Sequence, residues 1–375
     1  MRIGYIVGGL GRGGAELQLL QLATGLAARG HDVHLIAYNG PSALDDEFRA
    51  AGVRVLAERR ATRGGKVGVV RDWLRGTRPD VVHGIMKRAS SLAVLARWPL
   101  RQPPLIASDM STATYRSRAP VLLGSLLAFA WADRVVTQTE LNRTHLERLA
   151  PWLRGKSVVI RNGLDTERFV PGTRSSATSD EPFVFCVAGT VYSVKNPFRV
   201  IDAAAELRRR GHDRFRIDWH GRLGFGSGDS IGDGEQAQSY ATRRGVADIV
   251  TFRGENPAIE HAYQCADALL HASVQEGFPN AVAEGMACGL PIVVSRVADL
   301  PQVIAEANNG LLFDETDPIA IADAMEHLMR TPPEERAAMG RRSRELAIRW
   351  FHLERFLKDA ETLYQSLLAT RGANV

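Results

Sequence analysis

The chain has 375 residues, more than one ordinary core takes and about enough for two domains of roughly 150–200 residues. Its 45% hydrophobic, 24% charged and 7% aromatic content sits at globular averages and excludes disordered and fibrous proteins. The net charge of +5 comes mostly from scattered arginines, with local clusters at Arg208–Arg210 and at Arg341, Arg342 and Arg344; that fits anionic small molecules or an anionic surface, whereas a nucleic-acid protein calls for a basic stripe with interleaved aromatics.

In chain order, Ile3–Val7 reads as a first strand. The start lacks the long apolar stretch and small-residue cleavage site of a secretory signal. No apolar run approaches the ~20 residues that cross a bilayer; Val121–Trp131 is about one buried helix long. A cytoplasmic protein is expected. A helical stretch runs from Gly14 to Arg29, and Gly30 is suited to end it. Strand-like runs follow at Val33–Ala37, Val53–Ala57, Val81–Val82, Leu105–Ala107, Val135–Thr137 and Val158–Ile160, several separated by helical patterns. This is the β-α-β rhythm of a parallel sheet covered on both faces. Residues 171–182, rich in Ser, Thr, Pro and Gly, break the rhythm and read as a linker. A second α/β series starts at Phe183–Ala188 and continues through Phe215–Trp219, Ile249–Phe252, Ala268–His271 and Ile292–Ser295. Gly221–Gly234 reads as a glycine-rich loop, with Asp229 and Asp233 solvated rather than binding metal. The tail from Pro333 is helical, and its last helix, about Leu353–Leu368, is expected to return to the first domain. The expected division is therefore 1–170, linker 171–182, 183–350 and a terminal helix 351–375. Cys186, Cys265 and Cys288 are far apart with no C-x-x-C pair, so three buried thiols are expected.

Ligands of such sheets sit outside the carboxyl ends of the strands, where two loops stand out. Gly9-Leu10-Gly11-Arg12-Gly13-Gly14 follows a strand and opens a helix. It fits G-x-G-x-x-G, but the second strand ends Ile36-Ala37-Tyr38-Asn39 without the acid that holds a dinucleotide's ribose. Two further readings stand beside a dinucleotide site: Gly13 and Gly14 let helix-start amides approach a diphosphate, or the loop is a plain tight turn. The second loop is Ser273–Pro291, SVQEGFPNAVAEGMACGLP. Glu276 lies in the loop and Glu284 in the helix that begins near Asn280, so both carboxylates can face one ligand. A carboxylate accepts two hydrogen bonds at once and matches a vicinal diol, while the loop amides near Gly277 and Phe278 suit hydroxyls or phosphate.

This stretch resembles the E-x7-E signature of retaining glycosyltransferases of the GT-B fold, particularly family GT4. The resemblance covers most of the chain. GGLGRGGAELQLLQLATGLAARGHDVHLI resembles the family's first strand, glycine loop and helix, and VVIRNGLDTERFVP its segment before the linker. VAGTVYSVKNPFRVIDAAAEL resembles its donor loop, and IVTFRGENPAIEHAYQCADALLHASVQEGFPN its run into the acid pair. The resemblance implies two Rossmann-like, doubly wound α/β domains facing across a cleft. The acceptor lies mainly on the first domain and a nucleotide-diphosphate sugar (UDP-, GDP- or ADP-linked) mainly on the second. It implies that Glu284 holds the ribose, Glu276 the sugar hydroxyls and Lys195 the leaving diphosphate. Gly13, Gly14, Thr190, Arg253, Gly277, Phe278 and Asn280 complete the donor site. No cofactor or metal is required, and the anomeric configuration is retained.

Two departures stand out. The family usually places Arg right after Gly189, where this chain has Thr190, leaving Arg253 or Arg222 to substitute. Histidines expected after Val82 fall on Ile85 and Arg88, so His83, Lys87 and Arg88 are the acceptor-side candidates. The expected acceptor is a glycan or lipid-linked hydroxyl in surface polysaccharide or glycolipid synthesis, with peripheral contact at the inner membrane face. A non-catalytic sugar-nucleotide binder and a sugar-nucleotide epimerase remain as alternatives.

Overall fold

The computed structural model describes residues 1–58, 63–99, 102–110, 119–172, 181–224 and 231–372; at 63–64, 119–121, 231–233 and 371–372 it describes the backbone alone. Most of the expected linker, Asp229, and the arginines at 116 and 118 lie outside the described residues, as does the side chain of Asp233. The chain divides into two compact units, Met1–Gly163 with Leu353–Val375, and Leu164–His352.

The first unit carries β1 (Arg2–Val7), α1 (Gly14–Ala28), β2 (Asp32–Ala37), α2 (Asp45–Ala50), β3 (Arg54–Ala57), α3 (Arg63–Thr77), β4 (Val81–Gly84), α4 (Met86–Arg97), β5 (Leu105–Asp109), α5 (Ala119–Trp131), β6 (Arg134–Thr137), α6 (Glu140–Leu149) and β7 (Ser157–Val159). All strands are parallel, in the order β3-β2-β1-β4-β5-β6-β7. Strand periodicity divides β1 between two cores. Ile3, Tyr5 and Val7 join one cluster and Ile6 the other. Gly4 admits Trp73 to the second, since a Cβ there would come within 3.0 Å of the indole. In the last helix of the chain (Leu353–Gly372), Phe356, Leu357, Ala360, Leu363, Tyr364 and Leu367 repeat at helical spacing and are buried with β1 and α1. Leu357 lies against Gly25, where a Cβ would stand 2.6 Å from its methyl carbon. Helix α5 is buried along one side only. Leu126 and Phe129 enter the core, whereas Leu123, Leu127 and Trp131 are 59%, 54% and 40% exposed.

The second unit carries β8 (Phe183–Ala188), α7 (Pro197–Arg209), β9 (Phe215–His220), α8 (Ile231–Arg243), β10 (Val250–Gly254), α9 (Ile259–Gln264), β11 (Ala268–His271), α10 (Asn280–Ala287), β12 (Ile292–Ser295), α11 (Leu300–Ala307), β13 (Gly310–Phe313), α12 (Pro318–Arg330) and α13 (Pro333–Phe351); the last helix, in the first unit, is α14. Its six parallel strands run β10-β9-β8-β11-β12-β13. All six residues of β8 are buried. Phe183, Phe185 and Val187 face one cluster, Val184, Cys186 and Ala188 the other. In this order β8 and β11 meet where the connections change direction, the place where a doubly wound sheet opens a crevice at its strand ends.

Three features differ from the sequence reading. Leu164 belongs to the second unit: its N–H donates to the Phe351 carbonyl at 2.6 Å, and Arg344 binds the carbonyls of Thr166 and Phe169. The glycine-rich stretch turns helical at Ile231, because Ala237 and Ala241 of α8 reach the core beside α7. Cys265 is exposed at the end of the short helix α9, whereas Cys186 and Cys288 are buried; none of the three is in a disulfide.

Candidate functional site

In the second unit, β8 ends at Ala188 and the chain turns through Gly189, at φ +141°. Two bonds anchor this turn: the Trp219 indole N–H donates to the Gly189 carbonyl at 2.8 Å, and the Val191 N–H to the Arg222 carbonyl at 2.7 Å. A single 3-10 turn, Ser193–Lys195, follows. It ends at Asn196, which lies in the left-handed region (φ 62°) and donates its side-chain amide to the Glu315 carbonyl at 2.8 Å. The Lys195 stem runs along Gly189, where a Cβ would stand 3.1 Å from its Cε. Glycine at 189 thus serves both the positive φ and the passage of the lysine.

The loop after β11 is tied to the same turn, its Val274 N–H donating to the Val194 carbonyl at 2.9 Å. That contact sets Glu276 beside Lys195, with Oε1 2.5 Å from Nζ; the two side chains are 16% and 18% exposed. His271, the last residue of β11 and 2% exposed, brings Nε2 to 3.4 Å from the same oxygen. Burial alone would raise the Glu276 pKa; Lys195 and His271 overcome it and hold the carboxyl well below the usual range. For His271, burial pushes the pKa down and Glu276 pulls it up.

Glu284 stands in α10, half-buried. It accepts a hydrogen bond of 2.9 Å from the hydroxyl of Tyr263, a fully buried residue of α9. Burial raises its pKa, with Tyr263 and Arg168 acting the other way. The two acids therefore sit in opposite electrostatic settings, one ion-paired and one held by a neutral phenol. Asn280 opens the same helix, with Pro279 before it. Gly277 precedes Phe278, whose ring packs on Phe351 at 4.8 Å in the core. Any ligand contact by Phe278 therefore falls to its main chain.

In the first unit, Gly13 and Gly14 are exposed at the start of α1. The carboxylate of Glu16, whose pKa burial raises, fills the space beside Gly13. His83 ends in a buried chain. Its Nε2 meets Ser108 Oγ at 2.6 Å and its Nδ1 meets the Tyr364 hydroxyl at 2.9 Å, which in turn meets the Tyr5 hydroxyl at 3.1 Å. Burial pushes its pKa down to about 3, so the ring is neutral. The adjoining cavity, lined by Gln18, His83, Ser108, Gln138 and Asn162 among apolar side chains, holds about 30 Å³. That is room for about one water and not for a sugar ring. Lys87, half-buried, and Arg88, exposed, begin α4. Burial lowers the Lys87 pKa, and buried Asp109 at the end of β5 pulls it back up.

The family description "Glycosyltransferase Family 4" matches residues 12–168, and "Glycosyl transferases group 1" matches residues 173–346. The chain belongs to the family 4, group 1 glycosyltransferases. Among its relatives is the D-inositol 3-phosphate glycosyltransferase of Frankia alni, 28% identical over 72% of this chain and 71% of that protein. That of Actinosynnema mirum is 27% identical over 88% of this chain and 86% of that one. Among solved structures, HepE of Anabaena in complex with UDP has a TM-score of 0.83, at 18% identity over 97% of this chain and all of that one. The fold of this glycosyltransferase is GT-B.

Thr190 lies in the anchored turn after Gly189. Arg253, on edge strand β10, binds Asp218 Oδ1 through Nε at 3.1 Å and Nη2 at 2.9 Å. Arg222 pairs with Glu255 at 2.5 Å. Both substitutes for the missing family arginine thus have acidic partners of their own. Among the described residues no cluster of three His, Cys, Asp or Glu side chains has the arrangement of a metal site. Sequence reading passed over two residues that the site uses, His271 and Tyr263. The signal for the first was a polar residue ending an otherwise apolar strand, Ala-Leu-Leu-His. For the second, a tyrosine on a buried helix face needs a hydroxyl partner.

Proposed function

We propose that this glycosyltransferase moves a hexose-type sugar, with retention, from a nucleotide-diphosphate sugar to a hydroxyl of a glycan or lipid-linked acceptor. The observation that carries the reading is the Lys195–Glu276 pair at the β8 and β11 strand ends, a cation and a carboxylate held together yet still partly open to solvent. The UDP bound by HepE supports a nucleotide-linked donor. In this reading Glu284 accepts hydrogen bonds from the ribose diol and Glu276 from the sugar hydroxyls. Lys195 meets the diphosphate. As the anomeric C–O bond breaks, charge grows on the departing phosphate, and a fixed ammonium lowers that barrier. The acceptor oxygen forms the new bond on the same sugar face, and its proton passes to the departing phosphate. Glu276, ion-paired on its flank, serves as a hydrogen-bond acceptor and not as a nucleophile.

On the acceptor side, Lys87 and Arg88 are the cations next to the end of β4, and His83, neutral and engaged, is a packing residue. The apolar face of α5 with Leu123, Leu127 and Trp131 fits contact with a lipid surface that carries the acceptor and with surface polysaccharide or glycolipid synthesis. A panel of UDP-, GDP- and ADP-sugars tests the reading. Slow donor hydrolysis without acceptor, and release of nucleoside diphosphate with one of them, is expected. Binding with no turnover across all acceptors points instead to a non-catalytic sugar-nucleotide binder. Conversion of the sugar without its transfer points to an epimerase.

A further inference from the structure

The proposed donor reading gives Lys195 to the diphosphate and Glu276 to the sugar, yet in the donor-free chain the two hold each other. A diphosphate that draws the ammonium away removes the cation that a largely buried carboxylate was paired with. Removing one member of such a pair is strongly destabilising unless another group takes its place. We propose that His271 is that group, a positioning residue whose ring nitrogen takes Glu276 Oε1 when Lys195 turns to the donor.

Three observations carry this. Nε2 of His271 lies 3.4 Å from the very oxygen that Lys195 holds. It is a buried ring nitrogen whose contact with Glu276 falls short of a well-formed hydrogen bond and which has no other hydrogen-bond partner among the described residues, an uncommon state. The ring is fixed at the end of β11, in register with Val294 of β12, whereas Glu276 lies in a loop. The carboxylate therefore does the moving, by about half an ångström to reach ordinary hydrogen-bond length. The charged groups facing the ring are Glu276 and Lys195, and Tyr192 faces Glu276 from the donor loop. When the ammonium leaves, the carboxylate is what remains opposite the imidazole.

The inference rests on the donor reading, and the experiment separates the two. His271→Leu, His271→Gln, Lys195→Ala and the double variant Lys195→Ala/His271→Leu are compared by donor-free melting temperature. Their KM is measured for the best-bound of UDP-glucose, GDP-mannose and ADP-glucose, and their Kd for the matching nucleoside diphosphate. His271→Leu raises KM for the sugar nucleotide roughly tenfold and leaves diphosphate affinity within about twofold. His271→Gln, which keeps an N–H, recovers most of the loss. The double variant loses more melting temperature than the two single losses together, because each partner replaces the other. Additive melting losses, or equal weakening of diphosphate and sugar nucleotide, overturn the proposal. Should His271→Leu not fold, His271→Met carries the same comparison. Normal turnover in Lys195→Ala defeats the donor reading itself, whereas a silent His271→Leu beside a crippled Lys195→Ala defeats this inference alone.

Discussion

The two units place polar side chains at the same kind of location, the carboxyl ends of a parallel sheet, but in different states. In the second unit Lys195 and His271 converge on one carboxylate oxygen of Glu276, charged and partly open. In the first, Ser108, His83, Tyr364 and Tyr5 form a neutral, buried chain that ties three strands to the last helix. A buried neutral network with every member engaged stabilises one packing. A charged cluster left ajar to solvent is a poor way to stabilise a fold and a good way to meet a charged ligand. The comparison sets a cluster suited to a charged ligand against one suited to holding the packing of a fold.

The largest expected effect tests the charged side. Lys195→Ala should lower turnover by about 100-fold or more, with a smaller loss in donor affinity, as removal of a group acting on developing charge does. Steady-state kinetics against a donor titration checks the split, and equal losses in both break the assignment.

The second test uses pH. Burial raises the Glu284 pKa above the ordinary glutamate range, so the protonated form persists to higher pH in the folded chain. That form stabilises the fold, and the contribution declines as pH rises through the raised value. In the proposed donor reading, binding needs the ionised form to accept the ribose hydrogens. Affinity should therefore fall on acidification while the pH is still above the ordinary glutamate pKa, by about tenfold per unit once below the raised value. Glu284→Gln should bind weakly at all pH values with no such slope. Calorimetric titration from pH 8 down to the ordinary glutamate pKa decides it. A slope kept by Glu284→Gln assigns the titration elsewhere.

The third tests the neutral side. His83 has a pKa of about 3 when folded, against about 6.5 in the unfolded chain. The unfolded state binds the extra proton between these values. Stability is thus complete above pH 6.5 and falls by about 1.4 kcal/mol per unit below it. Denaturant titrations at pH 7 and 5 should show a loss of about 2 kcal/mol from this group, which His83→Phe lacks. Donor turnover at pH 7 should stay within a few-fold in a variant that folds; a much larger loss would return His83 to the acceptor site.

Much of the architecture was open to sequence reading, because parallel strands covered on both faces are nearly continuous apolar runs. Phe183–Ala188, Ala268–His271 and Ile292–Ser295 appear with the same bounds in the structure. The helical stripe of α14 was as plain. Gly310–Phe313, an edge strand that opens on glycine and is fully buried only at its two ends, did not stand out as an apolar run. The E-x7-E stretch pointed to the strand ends, but side-chain partners come from distant segments. Lys195 and Glu276 are 81 residues apart, and their mutual bond follows from the Val274–Val194 contact that no local pattern encodes. The ring of Phe278, in a loop that looked like ligand surface, is taken by Phe351 of α13 for the same reason.

The smallest expected effect concerns Arg253, which the missing arginine at Thr190 made a donor-site candidate. Its guanidinium lies on Asp218, and Asp218 also accepts from Arg216 at 2.9 Å. With 46% of its side chain exposed, Arg253 is in a solvent-screened pair of small worth to the fold. If it stays on Asp218 when donor binds, Arg253→Ala should change donor KM by no more than about threefold, since the aspartate keeps Arg216 and, in the proposed reading, Lys195 still meets the diphosphate. A tenfold rise in KM would show the opposite, that Arg253 leaves Asp218 for the ligand and replaces the absent family arginine. Arg216→Ala then sharpens the choice. If Arg253 is held by Asp218, losing the competing arginine tightens that hold and leaves KM unmoved; if Arg253 must be released to bind, the tighter hold raises KM.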